Sequence, residues 1–188
     1  TVVGATGTGP DIISGGAGGG LFAGGSGGNN LILAGQGSST IFGVASGDVL
    51  FATGAAPDLL VAGAGNETLS GLGSSGNNVF FGGSGSDLMG GGSGNSTFFA
   101  GTGSATMIGG SGADLYAFTN GRAGGNDLVA DFNAAKGDRV TLQGYGNGAV
   151  QNALSGATVS GGATTIQLSD NTKITFAGVT NLSGQNFV

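Results

Sequence analysis

Gly109-Gly110-Ser111-Gly112-Ala113-Asp114-Leu115-Tyr116-Ala117 is the most regular copy of a nine-residue repeat that runs from Thr6 to Ala117. It reads G-G-x-G-x-D-x-U-x, where U is a large apolar residue, and Gly82–Gly90 is a second good copy. The degenerate copies align once the U position is followed, because it recurs in steps of 9, 10 or 11 residues. The twelve U residues are Ile13, Phe22, Ile32, Ile41, Leu50, Leu60, Leu69, Phe80, Met89, Phe98, Met107 and Tyr116.

The period predicts a parallel β-roll. A six-residue glycine-rich turn followed by a three-residue strand is half of one coil, since glycine supplies the positive φ that the turn needs and the middle strand residue points inward. Two repeats make one coil, so alternate repeats stack into two facing parallel sheets. The sequence therefore predicts an all-β protein, with a β-roll (a β-solenoid of nonapeptide repeats) over residues 1–117 and a β-rich C-terminal cap over residues 118–188.

The repeat pattern resembles the calcium-binding β-roll of RTX proteins, which bacteria export by type I secretion. The segments Gly125–Phe132, Gly137–Leu142 and Thr164–Val179 are similar to the C-terminal region that follows such rolls, and Asn186-Phe187-Val188 resembles the tail of their uncleaved export signals. The resemblance implies an extracellular or cell-surface location in a bacterium and the type I secretion machinery as a partner. It leaves the activity open, because RTX proteins include proteases, lipases, toxins, adhesins and surface-layer proteins.

Charge divides the chain near Phe118. Residues 1–117 carry six acids and no base, whereas residues 118–188 carry four acids and all four bases. Without a basic patch to neutralise phosphates, the sequence argues against nucleic-acid binding. No run of about 18 apolar residues is present, so we expect no membrane insertion. The absence of cysteine fits an exported bacterial protein that is stabilised by other means.

The resemblance also implies calcium, held between turns two repeats apart by the aspartates at the sixth repeat position and by turn carbonyls. The acidic neighbours on one side of the roll are Asp48, Glu67 and Asp87, which are predicted to bind calcium at one or two weak sites. The alternative is that they are solvated turn residues. At two other sixth positions the sequence leaves Asn29 or Asn30, and Asn77 or Asn78, open. By resemblance, Asp127, Asp131 and Asp138 in the cap are a further candidate ion site.

The residues beside U in the even-numbered repeats predict an apolar outer face. Those on the C-terminal side of U are Ala23, Phe42, Val61, Phe81, Phe99 and Ala117, and those on its N-terminal side are Leu21, Thr40, Leu59, Val79, Thr97 and Leu115. Monomeric proteins rarely expose such a stripe. Either these residues face a wider core, or another copy of the chain covers them. The second alternative predicts self-association through Phe42, Val61, Phe81, Phe99, Leu59 and Val79.

Catalysis is not expected. The chain has no His and no Cys, which excludes a Ser-His or Cys-His nucleophile. Its paired carboxylates are repeat-turn aspartates at the edge of the predicted roll, where no pocket is expected to surround them. We therefore predict that the chain is not an enzyme and needs no cofactor other than calcium at the weak sites.

Three functions remain at this level. The first is a secreted structural protein that self-assembles, through apolar faces and open solenoid ends, into a filament, sheet or matrix. The second is the C-terminal export and folding module of a larger type I secreted protein with an enzyme, toxin or adhesin upstream. The third, a roll that binds ice or another surface, needs a regular threonine ladder, whereas Thr40, Thr68, Thr97 and Thr106 are spread over both faces.

Overall fold

Short strands recur at the repeat period in the computed structural model, which describes residues 1–4 and 6–188. Residue 5, inside the predicted roll, lies outside the described residues. The strands are β1 (Val2–Val3), β2 (Ile12–Ser14), β3 (Leu21–Ala23), β4 (Leu31–Leu33), β5 (Thr40–Phe42), β6 (Val49–Phe51), β7 (Leu59–Val61), β8 (Thr68–Ser70), β9 (Val79–Phe81), β10 (Ser86–Gly90), β11 (Thr97–Phe99), β12 (Ser104–Ile108), β13 (Leu115–Thr119), β14 (Asn126–Val129), β15 (Arg139–Gln143), β16 (Thr158–Ser160), β17 (Ala163–Gln167) and β18 (Lys173–Ala177).

Successive strands alternate between two sheets. The odd-numbered strands β1 to β15 form an eight-stranded sheet, and the even-numbered strands β2 to β14 continue through β18, β17 and β16 as a ten-stranded sheet. Pairing along the repeats is parallel, as in Phe22↔Ile41 and Phe98↔Tyr116. We call the turns that lead into the ten-stranded sheet the first edge, and those that lead into the eight-stranded sheet the second edge.

The twelve U residues form the core. All are buried between the two sheets, and ten of them have no exposed surface. Their aromatic members stack along the roll, with ring centroids 4.9 Å apart for Phe80 and Phe98 and 5.4 Å apart for Phe98 and Tyr116. The longest repeat step, from Leu69 to Phe80, lengthens only the turn between β8 and β9, and both strands keep three residues. The predicted fold and the predicted inward positions are therefore confirmed.

Both sheets continue past residue 117, although the nine-residue period ends there. β14 pairs with β12 and β15 pairs with β13, which places Val129 beside Met107 and Val140 beside Tyr116. The solenoid thus has about seven coils. The change at this point lies in the longer strand β13 and in the longer turn between β14 and β15, rather than in the order of the sheets. The division into domains at residues 1–117 and 118–188 stays a prediction.

The C-terminal residues cover the last coil. β18 pairs with β14 in parallel, and β17 and β16 then add in antiparallel order. The helix α1 (Ala149–Ser155), which the sequence did not predict, precedes β16. The chain ends against β15, where the backbone N–H of Val188 donates to the carbonyl of Val140 at 2.9 Å. Among the described residues, no helix has the length and hydropathy to span a membrane.

Candidate functional site

The sixth residues of the repeats form two buried columns, one at each edge of the roll. The column at the first edge consists of Asp11, Asn30, Asp48, Glu67, Asp87, Ala105 and Asp127, and the column at the second edge consists of Gly20, Ser39, Asp58, Asn78, Ser96, Asp114 and Asp138. At the two sixth positions that the sequence left undecided, the structure places Asn30 and Asn78, which are fully buried. Asn29 instead takes the positive φ of its turn.

Asp48, Glu67 and Asp87, the predicted calcium residues, are successive members of the first-edge column. Both carboxylate oxygens of Asp48 accept hydrogen bonds, and so do both oxygens of Asp87. Glu67 differs, because both of its carboxylate oxygens are buried without a hydrogen-bond partner. Among the described residues, no three acidic side chains come close enough together to hold a metal ion. Calcium binding by these three residues stays a prediction.

The environment of Glu67 favours its protonated form when no cation is present. Burial, together with the negative charges of Asp87 and Asp48, raises the pKa of Glu67 to about 7. A bound cation would reverse this effect by stabilising the carboxylate. Calcium prefers carboxylate and carbonyl oxygens, so the two unpartnered oxygens of Glu67 fit a calcium ligand, although this chain offers fewer free carboxylates than the repeat motif can supply.

Three other carboxyl groups each keep one buried oxygen without a hydrogen-bond partner. These are Oδ2 of Asp11 and of Asp127, at the first edge, and Oδ2 of Asp114, at the second edge. Burial raises the pKa of Asp114 to about 6 and that of Asp127 to about 7. Their positions also correct the candidate ion site in the cap. Asp127 bonds to Ala105 at the first edge, whereas Asp131 and Asp138 contact second-edge residues, so the three aspartates do not form one cluster.

The predicted apolar stripe lies on the outer surface of the eight-stranded sheet. Phe42, Val61, Phe81 and Phe99 are paired in register on successive strands. The rings of Phe42 and Phe81 are each 37% exposed, and the rings of Phe81 and Phe99 stack with centroids 4.4 Å apart. Leu59 and Val79, half-buried, lie in the neighbouring column. These residues therefore point away from the core. Their self-association stays a prediction.

The surface around this stripe carries little negative charge, and the exposed Arg122 lies beside Phe81 and Phe99 at its C-terminal end. Five of the six acids in residues 1–117 are buried, and only Asp11 is partly exposed. All four bases belong to the C-terminal residues, where Arg122, Lys136 and Lys173 are exposed. The sequence showed how many acids the repeats contain. It did not show that their carboxyl groups point inward.

A groove of about 500 Å³ lies on the outer surface of the ten-stranded sheet. Gly90 leaves the floor open, and Leu72, Leu88 and Ile108 supply apolar walls. Leu72, at the tip of the turn after β8, is 80% exposed. The lining contains serine hydroxyls but no acid or base that would activate one. This groove therefore offers apolar contact rather than catalytic groups.

The architecture defines the class: the chain is a parallel β-roll built from nonapeptide repeats. The model of the RTX calcium-binding nonapeptide repeat (4 copies) matches residues 24–54, 50–73 and 72–98. Residues 24–98 therefore match the RTX calcium-binding nonapeptide repeat family, and calcium is the ion that repeats of this family bind. No curated protein sequence matches the chain.

A solved structure shares the fold. The extracellular lipase LipA from Serratia marcescens aligns with a TM-score of 0.50 and 18% sequence identity, over 89% of this chain and 40% of the lipase. The chain thus spans less than half the length of that protein. At this identity the likeness concerns the fold alone. The repeats themselves are not catalytic, so the likeness to a lipase carries no enzymatic activity over to this chain.

Proposed function

We propose that this RTX-type β-roll is a secreted structural module that associates side by side with copies of itself, at the surface of a bacterium or outside the cell. The observation that carries the proposal is the stripe of Phe42, Val61, Phe81 and Phe99 on an outer sheet surface. Continuous apolar patches on soluble proteins usually mark interaction sites. A second copy is the simplest partner, because it presents the same stripe with the same spacing between strands.

The distribution of charge supports association between identical copies. Like copies repel one another through exposed charge, and a net charge away from zero keeps most proteins apart in solution. Here the acids of the roll are buried apart from the partly exposed Asp11, and the bases are confined to the C-terminal residues. Two rolls can therefore approach along Phe42 and Val61 with little electrostatic cost, whereas beside Phe81 and Phe99 the contact has to accommodate the exposed Arg122.

The energy of the contact follows from the exposed area of the rings. A phenylalanine side chain has about 200 Å² of surface. At 37% exposure, covering Phe42 or Phe81 removes about 75 Å² from water, which contributes roughly 2 kcal/mol per ring. The half-buried Val61 and Phe99 add to this contact. Association also costs several kcal/mol of lost motion, so the assembly depends on several strands making contact at once.

The direction of growth follows from the two ends of the roll. At the C-terminal end, β18 pairs with β14 and the chain terminus bonds to β15, so both strands of the last coil have a neighbour. The proposed assembly therefore relies on lateral contacts. If the contact is not a closed two-fold pair, it extends into a filament or sheet.

The test compares assembly of the wild type with that of the double variant Phe81→Ser/Phe99→Ser. We expect the wild type to form concentration-dependent oligomers or filaments, by analytical ultracentrifugation and negative-stain microscopy, and the double variant to sediment as a monomer. The matched control, Leu72→Ser/Leu88→Ser, removes exposed apolar side chains from the opposite side and should assemble like the wild type. A monodisperse wild-type monomer at high concentration, or filaments of the Phe81→Ser/Phe99→Ser variant, would refute the proposal.

A second candidate is the C-terminal export and folding module of a larger type I secreted protein. Its support is that the chain aligns with only 40% of the extracellular lipase, and that Asn186-Phe187-Val188 resembles an export-signal tail. The test fuses residues 1–188 behind a passenger protein in a bacterium that has a type I exporter. Passenger in the medium, and its loss when residues 183–188 are removed, would favour this function. Passenger retained in the cell would exclude it.

A further inference from the structure

Hydrogen bonds at the two edges of the roll join each coil to the next. Eight of them lie within the columns of sixth residues, and in each one a side-chain oxygen accepts the backbone N–H of the sixth residue in the preceding coil. Their lengths lie between 2.7 and 3.0 Å. We call this set the sixth-position ladder. The accepting residues are Asn30, Asp48, Asp87 and Asp127 at the first edge, and Asp58, Asn78, Asp114 and Asp138 at the second edge.

Four of these aspartates also use their second oxygen inside their own turn. Oδ2 of Asp48 accepts the backbone N–H groups of Val44 and Ala45 at 2.9 and 3.1 Å. Asp58, Asp87 and Asp138 make the equivalent bond to a backbone N–H of their own turns. Each of the four carboxylates thus connects two coils and also closes a turn. Its oxygens face N–H donors, which would repel a cation in the same place.

The two asparagines extend the ladder without any negative charge. Nδ2 of Asn30 donates to the carbonyl of Gly25 at 2.9 Å and to Oδ1 of Asp48 at 2.8 Å. Nδ2 of Asn78 donates to the Ser74 hydroxyl at 3.0 Å. At these positions an amide N–H therefore points into the turn and occupies oxygens that a calcium ion would need. Hydrogen bonding within the protein replaces metal coordination there.

We infer that the sixth-position ladder, rather than calcium, holds the coils of this roll together, and that Glu67 is the sixth residue best fitted to bind a calcium ion. Glu67 is the one sixth residue described with two buried oxygens that accept no hydrogen bond. The acids of the repeat motif have thus largely become hydrogen-bond acceptors for backbone N–H groups. The ladder lies within a single molecule, so its contribution can be measured in dilute protein, where copies of the chain do not associate.

The test measures thermal unfolding by circular dichroism in excess chelator and again in excess calcium. We expect the wild type to be folded in chelator, with a melting temperature close to its value in calcium. Asp48→Ala leaves several buried N–H groups without an acceptor, so it should lower the melting temperature in chelator by roughly 5–15 °C. If Asp48 served only as a calcium ligand, the same substitution would change nothing in chelator.

Two further variants keep the test decisive. Asp48→Asn retains one acceptor oxygen, so it should fold and show a smaller loss in chelator than Asp48→Ala, which settles the outcome should the alanine variant fail to fold. The matched control Glu67→Gln removes no ladder bond and should melt like the wild type in chelator at pH 5, while losing, at neutral pH, whatever stabilisation calcium provides. Unfolding of the wild type by chelator, or unchanged melting of both Asp48 variants, would overturn the inference.

Discussion

Raising the pH should destabilise the metal-free protein, and Asp127 gives the size of the effect. Burial raises the pKa of Asp127 to about 7, from an ordinary value of 3.8. Between these values the folded chain holds a proton that the unfolded chain has released, so the contribution of Asp127 to stability is greatest below about pH 4 and falls until about pH 7. At 1.36 kcal/mol per pH unit, the difference in pKa corresponds to roughly 4 kcal/mol as an upper estimate. Glu67 and Asp114, whose pKa values are also raised, act in the same direction.

The assay is chemical denaturation in chelator at pH 5, 6, 7 and 8, at low protein concentration. The wild type should lose stability steadily between pH 5 and pH 7 and change little above pH 8. The matched variant Asp127→Asn keeps an oxygen for the backbone N–H of Ala105 and cannot ionise, so its loss over the same range should be smaller by a few kcal/mol. Wild-type stability that is flat or rises with pH, or an equal slope in the variant, would show that Asp127 is ionised in the fold.

The remaining predictions concern the core and the spacing of the coils. Phe98→Ala removes a fully buried stacked ring and should lower the free energy of unfolding by about 3–5 kcal/mol in denaturant titrations, whereas Phe42→Ala, on the surface, should cost much less. Gly85→Ala should prevent normal stacking, because a Cβ there would overlap the carbonyl of Gly65, and the melting temperature should fall sharply. Gly90→Ala is its matched control, since a Cβ at Gly90 meets no atom within 4 Å. Equal melting temperatures for these two glycine variants would contradict the close coil spacing.

The repeat period was enough to predict the fold and the core. A turn of fixed length returns the chain to the same position above the previous coil, so one inward residue per repeat fixes the register of every strand. The same register places Phe42 and Phe81 outside. Where the period ends, less could be predicted. Val129 and Val140 continue both sheets at steps of 13 and 11 residues after Tyr116, which the nine-residue period does not indicate.

The chemistry of the edges could be predicted only in part. The motif indicates which residues occupy the sixth position, but the role of a carboxylate there depends on the N–H groups that the adjacent coil presents to it. Asp48 accepts two N–H groups of Asn30 in the adjacent coil and two backbone N–H groups of its own turn, whereas Glu67, one methylene longer and in the next coil, accepts none. Asn30 and Asn78 at sixth positions are the feature of the sequence that indicates hydrogen bonding at the edges, because an amide suits a hydrogen-bond network better than a calcium site.

The orientation of the inter-coil hydrogen bonds has a mechanical consequence. These bonds run along the long axis of the roll, and each coil contacts only its neighbours. A force that pulls the two chain ends apart along this axis would load the bonds of one coil at a time, like a zipper, instead of shearing many strands together. Each rupture would release the 18 to 20 residues between paired strands, about 60–70 Å of extended chain. Lateral contacts between rolls would spread such a load over several molecules.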